Sequence, residues 1–133
     1  MEAQISDMRA ILLIDHGSRR SAATERWSDV AGRVKTRMGD GAIVEPAPTE
    51  IAEPPIEQGF ARCVEQGASL VVVHPFMLAR GRHVQEDLPR LVAEVAAQHD
   101  GVRFALAAPL GSHDGVIDAV IDRCGAALDG SDA

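Results

Sequence analysis

Tyrosine is absent from this chain of 133 residues, and aromatic residues make up only 3% of it. A stacking platform for single-stranded nucleic acid is therefore not expected. Basic side chains are the minority charge, 13 Lys and Arg against 20 Asp and Glu, for a net charge of −7. Duplex nucleic acid is excluded as the main partner on the same ground, because phosphate binding needs a basic footprint. Long apolar runs are missing. Stretches such as Ala10–Ile14 and Leu70–Val73 fall far short of the roughly 20 apolar residues of a membrane span. Met1-Glu2-Ala3-Gln4 has neither the basic start nor the apolar stretch of a signal peptide, so a cytoplasmic protein without a membrane partner is expected. Cysteine is scarce. Cys63 and Cys124 are far apart, form no CxxC pair and sit among helical apolar positions. Buried free thiols are expected of both, rather than a disulfide or a zinc site.

What remains is an ordinary globular composition, 46% hydrophobic and 25% charged. It predicts one domain over residues 1–133 with its core in about 9–128. The charge is uneven: residues 1–40 carry seven basic and six acidic groups, and residues 41–133 carry six and fourteen. Arg9–Ile14 reads as a strand buried on both faces. Ala23, Trp27, Val30, Ala31, Val34 and Met38 recur at helical spacing, and Gly39 and Gly41 end that helix. Ala42–Glu45 reads as a second strand, broken into a loop by Pro46 and Pro48. Pro54 and Pro55 suit the first turn of a helix carrying Ile56, Phe60, Cys63 and Val64. Ser69–Val73 is β-branched and apolar, a third strand, followed by a long loop from about His74 to Glu86. Leu88, Leu91, Val92 and Val95 mark the next helix, and Val102–Ala107 a fourth strand. Val116, Ile117, Val120, Ile121, Cys124 and Leu128 mark a last helix, capped by Asp114. Strict strand–helix alternation predicts an α/β three-layer sandwich: a four-stranded parallel sheet flanked by helices.

In such sheets ligands bind beyond the carboxyl ends of the strands, so the loops 15–22, 46–53, 74–86 and 107–113 should lie at one end. They hold His16, His74, His83 and His113, four of the five histidines, together with Arg19, Arg20, Arg80 and Arg82. An acidic protein thus carries a cationic, histidine-bearing rim, suited to an anionic small molecule and to a metal or proton-transfer task. His74 abuts a buried strand and precedes Pro75, where a packed, hydrogen-bonded role fits it. His113 beside Asp114 fits the start of a helix, and Met77 a packing role. Generic signatures are absent: no GxxxxGK[ST] loop, no dinucleotide fingerprint, no GxSxG elbow and no HExxH.

The rim motifs do resemble a family. His16-Gly17-Ser18-Arg19 follows the first strand. Glu50-Ile51-Ala52-Glu53-Pro54-Pro55-Ile56 leads into the second helix. Val73-His74-Pro75-Phe76-Met77-Leu78 is followed by Gly81-Arg82-His83 and Asp87-Leu88-Pro89, with Pro109-Leu110-Gly111 later. In order and spacing over about residues 9–125 these resemble the short CbiX/SirB-type sirohydrochlorin chelatases. The resemblance implies insertion of a divalent metal (Co, Ni or Fe, with cobalt put first) into sirohydrochlorin, in tetrapyrrole biosynthesis of the cobalamin or sirohaem type. It implies the metal as substrate with no permanently bound cofactor, and a homodimer with the site between subunits. The metal-site histidines carry over onto His16 and His83, and the acidic residue before the E-P-x-I motif onto Glu50. His74 departs from the family, which commonly has a small or apolar residue there, and the His-rich tail of some short members is missing.

These residue types suit that chemistry. Insertion removes the inner pyrrole protons and strips water from the metal. Neutral imidazole both ligates a borderline cation and accepts a proton, and a carboxylate adds charge and a second acceptor. His16, His83 and Glu50 are thus the expected catalytic and metal residues. Ser18, Arg19, Arg20, Arg80 and Arg82 are expected to hold the substrate's carboxylates, and Phe76 with Met77 and Leu78 to face the ring. A protein that binds or delivers metal or tetrapyrrole without inserting it is the alternative use of the same residues.

Overall fold

Strands buried on both faces form where apolar residues run without alternation, and the first such run becomes the centre of the sheet. A computed structural model describes residues 9–15, 21–48, 55–76 and 82–130, with backbone alone for 15, 21–28, 48, 55 and 82–85. Strands β1 (Arg9–Asp15), β2 (Ile43–Pro48), β3 (Leu70–Pro75) and β4 (Arg103–Leu106) form one parallel sheet in the order β2-β1-β3-β4. Helices α1 (Ser21–Met38), α2 (Pro55–Glu65), α3 (Arg82–Ala96) and α4 (Asp114–Leu128) alternate with them.

The period-two alternation of a strand separates two cores. On one face Ala10, Leu12 and Ile14 of β1 and Val71 and Val73 of β3 meet Ile56, Phe60 and Cys63 of α2 and Leu88, Val92 and Val95 of α3. On the other, Leu13 and Val44 meet Ala31 of α1, with Ile11, Val30, Val34 and Phe76 packed alongside. The chain therefore builds the three-layer α/β arrangement that the alternation predicts, with α1 on one face and α2 and α3 on the other. Gly59 brings α2 close to the sheet: a Cβ there would stand 2.7 Å from Leu12 Cδ1 and 3.0 Å from Ala47 Cβ. Gly39 and Gly67 end α1 and α2 at positive φ (104° and 108°), a conformation that costs glycine little. Among the described residues no helix is long and apolar enough to cross a membrane.

Several boundaries differ from the sequence expectation. Pro46 and Pro48 lie inside β2, not in a loop. β2 is an edge strand, and residues two apart turn their backbone groups the same way, so both prolines direct the missing N–H away from β1. β3 runs on through His74 and Pro75, which pair with Leu13 and Ile14 of β1 after β4 has ended opposite Val73. Helix α3 begins at Arg82 and contains Pro89, so the long loop after β3 is shorter than expected. The cap of α4 is His113, whose Nδ1 accepts a hydrogen bond from Gly115 N at 2.9 Å, not Asp114. Cys63 is buried as expected, but Cys124 is exposed, because α4 buries none of its residues.

Candidate functional site at the carboxyl edge of the sheet

Strand order places the site. From β1 the chain steps to β2 on one side; from β2 it passes back over β1 to β3, then to β4. With crossovers of one hand, this reversal sends α1 and α3 to opposite faces, as the two cores show. A crevice opens at such a reversal, between the carboxyl ends of β1 and β3. Asp15 at the end of β1 is in register with Pro48 at the end of β2, and Ile14 with Pro75 of β3. Neighbouring strands stand about 4.8 Å apart, so three strand ends meet within roughly 10 Å. The segments carrying His16, Glu50 and His83 leave from these three ends.

The backbone places Arg82 and His83 as the first two residues of α3. His16, Ser18, Arg19, Arg20, Glu50 and Arg80 lie outside the described residues, and so do Met77 and Leu78. Among the described residues no three His, Cys, Asp or Glu side chains converge as a metal cage. Phe76 is described. Its N–H donates to Ile14 O at 2.7 Å, and its half-buried ring packs beside Leu13, Ala31 and Val44. It directly follows the carboxyl end of β3, on the α1 face of the sheet.

The electrostatics favour an anion here. Helix N-termini carry partial positive charge, and the first turns of α1 and α3, the helices that start beside the crevice, contain no acidic residue. The first turns of α2 and α4 do, Glu57 and Asp114.

His74 is the residue that sequence reasoning placed least well. It sits on the penultimate position of β3, beside Leu13 in register. Its Nδ1 is buried without a hydrogen-bond partner, so the ring packs in the fold with that nitrogen unsatisfied. The signal available in the sequence was Pro75, which fixes extended backbone in the residue before it. Burial lowers the imidazole below its ordinary value of 6.5. The unfolded chain then takes up this proton at higher pH than the folded one. The linked stability is complete above about pH 6.5 and is lost as the pH falls towards the lowered value. In urea titrations at pH 7.5 and 5, wild type should lose more of its midpoint than His74→Leu. Equal losses would show that His74 does not carry the effect.

Comparison with known proteins agrees with the geometry. The CbiX family model matches residues 10–127. The chain is 43% identical to the chloroplastic sirohydrochlorin ferrochelatase of Arabidopsis thaliana over 90% of this chain and 52% of that protein. It is 31% identical to the sirohydrochlorin cobaltochelatase of Methanocaldococcus jannaschii over 87% of this chain and 97% of that one. The crystal structure of the sirohydrochlorin chelatase SirB from Bacillus subtilis subspecies spizizenii in complex with cobalt superposes with a TM-score of 0.78 at 31% identity, over 89% of this chain and 50% of that one. The chain thus spans about half the length of the Arabidopsis and Bacillus proteins. With the sheet order, the crevice and a family match over nearly the whole chain in agreement, this chain belongs to the CbiX family.

Proposed function

We propose that this protein inserts a divalent metal ion into sirohydrochlorin. The observation that carries this reading is the meeting of the β1, β2 and β3 carboxyl ends at the strand-order reversal, with the acid-free first turns of α1 and α3 beside it. A flat polycarboxylate fits a crevice that has partial positive charge on either side and apolar Phe76 directly after the carboxyl end of β3. In this reading His16 and His83 hold the incoming metal and accept the inner pyrrole protons, and Glu50 assists as ligand or base. Ser18, Arg19, Arg20, Arg80 and Arg82 hold the carboxylate rim. The metal is a substrate and leaves with the product, so an open set of two or three ligands serves better than a closed cage.

Cobalt and iron are the metals named for the relatives, and histidine with carboxylate suits both, as it suits nickel. The protein works as a homodimer of single chelatase units. We place it in the cytoplasm, where its unpaired cysteines stay reduced.

The test follows the absorbance of sirohydrochlorin mixed with the full chain and Co²⁺, Fe²⁺ or Ni²⁺. Many metallated products per protein, with cobalt or iron fastest, are expected. Binding that stops at one equivalent without turnover would replace insertion by delivery of metal or tetrapyrrole.

A further inference from the structure

Helix α3 carries a proline where a helix tolerates it least. Pro89 is the eighth of its 15 residues, and the helix continues past it to Ala96. Proline is harmless in a first turn, whose N–H groups have no helical acceptor. Further in, it removes one hydrogen bond and crowds the carbonyl four residues back. Here the missing bond is the one from residue 89 to the carbonyl of Gln85. Proline also disfavours helical backbone in the residue before it. That residue, Leu88, is helical and buried in the core.

Packing does not account for Pro89. It is exposed and takes no part in the core. Stiffening of the unfolded chain does not account for it either, because that effect stabilises only where the native backbone loses no hydrogen bond. A feature that weakens the fold without a local gain points to function.

Its place along the helix says which function. Among the described residues, the buried ones of α3 are Leu88, Val92, Val95 and Ala96. Ahead of them Glu86 is exposed and Asp87 half-buried, and Arg82 and His83 begin the helix beside the crevice. The turn 85–89 thus joins a core-anchored stretch to the stretch that carries an expected metal ligand. The exposed pair of Arg90 with Asp87, 3.6 Å apart, crosses the end of this turn and holds it weakly.

We propose that Pro89 is a positioning residue for His83: the loosened turn lets the first residues of α3 tilt over the crevice while the core-packed remainder stays still. The chemistry calls for such a joint. The metal arrives, passes to the ring and leaves with the product, so a ligand must follow it over a short distance and then release it. On a helix anchored along its whole length, His83 would hold one geometry only. The inference rests on the chelatase reading above and adds the joint through which His83 acts.

Pro89→Ala restores the N–H at an exposed position with the best helix former. Its melting temperature should rise by about 4 °C or more. Its kcat for sirohydrochlorin metallation with Co²⁺ should fall at least about tenfold, with KM for sirohydrochlorin changed less than about threefold. A merely structural proline would lower stability and rate together. Pro89→Gly keeps the helix interior weak and should hold the rate within about threefold of wild type. An Ala variant that is as fast as wild type, or that melts lower, would overturn the proposal, and so would a Gly variant as slow as Ala. Amide hydrogen exchange reads the joint without the reaction. Amides of residues 86–88 should exchange at least about tenfold more slowly in Pro89→Ala than in wild type, with less change at 92–96. Equal exchange in both proteins would overturn the joint whatever the rates. A wild-type chain with the expected exchange but no metal insertion would remove the chelatase reading and leave the joint standing.

Discussion

Replacing His83 with Ala is expected to lower the rate of metal insertion by at least about 10²-fold, since a positioned proton acceptor alone contributes roughly 10²–10⁴ and His83 is also read as a metal ligand. The fold should not change with it. His83 is the second residue of α3, and the core contribution of that helix comes later, from Leu88, Val92 and Val95. Two measurements on one preparation check this: the initial rate of sirohydrochlorin metallation with Co²⁺ or Fe²⁺, and the thermal melt followed by circular dichroism. A His83→Ala protein that melts like wild type and inserts metal at the wild-type rate would remove His83 from the site. Weakened Co²⁺ binding in the variant would assign ligation as well as proton transfer. Loss of rate with unchanged metal affinity would assign the proton alone.

The largest stability effect is expected at Phe60. Its ring is fully buried among Leu12, Val71, Val73, Leu88 and Val92, and it meets the His99 ring at a centroid distance of 5.4 Å. Phe60→Ala removes most of that apolar surface and leaves a cavity under α2, at a loss of about 3–5 kcal/mol. Domains of this size hold only about 5–15 kcal/mol in total. The melting temperature should therefore fall by about 10–20 °C, with Phe60→Leu falling less because it refills part of the space. A Phe60→Ala protein melting within a few degrees of wild type would mean that the layer between α2 and the sheet is not the main core.

The strand–helix alternation was legible because this protein's main elements declare themselves by burial. The continuous apolar runs of β1 and β3 could be nothing exposed, and the stripes of α2 and α3 recur at helical spacing. Element ends were less legible, for identifiable reasons. Pro46 and Pro48 read as breakers because a sequence does not say which strand is an edge. The first turn of α3, Arg-His-Val-Gln, has too little apolar content for periodicity to register. Cys124 was expected to be buried because its stripe is real; only the packing shows that α4 buries none of its residues. At the site, strand order brings the carboxyl ends of β1, β2 and β3 to one sheet edge, while His16 and Glu50 lie outside the described residues. That His74 belongs to β3 was hidden, because strand continuation past β4 depends on the partner strand and not on the residue itself.

The order β2-β1-β3-β4 also sets a timetable. The first strand made is a central one, and its second neighbour, starting at Leu70, lies about 60 residues further along the chain. At synthesis rates of about 5–20 residues per second, β1 leaves the ribosome about 3–12 s before β3 can pair with it. During that interval Leu12 and Ile14, fully buried in the finished protein, have no lasting place to go, and a chaperone that binds short apolar segments has its best opportunity at residues 10–14.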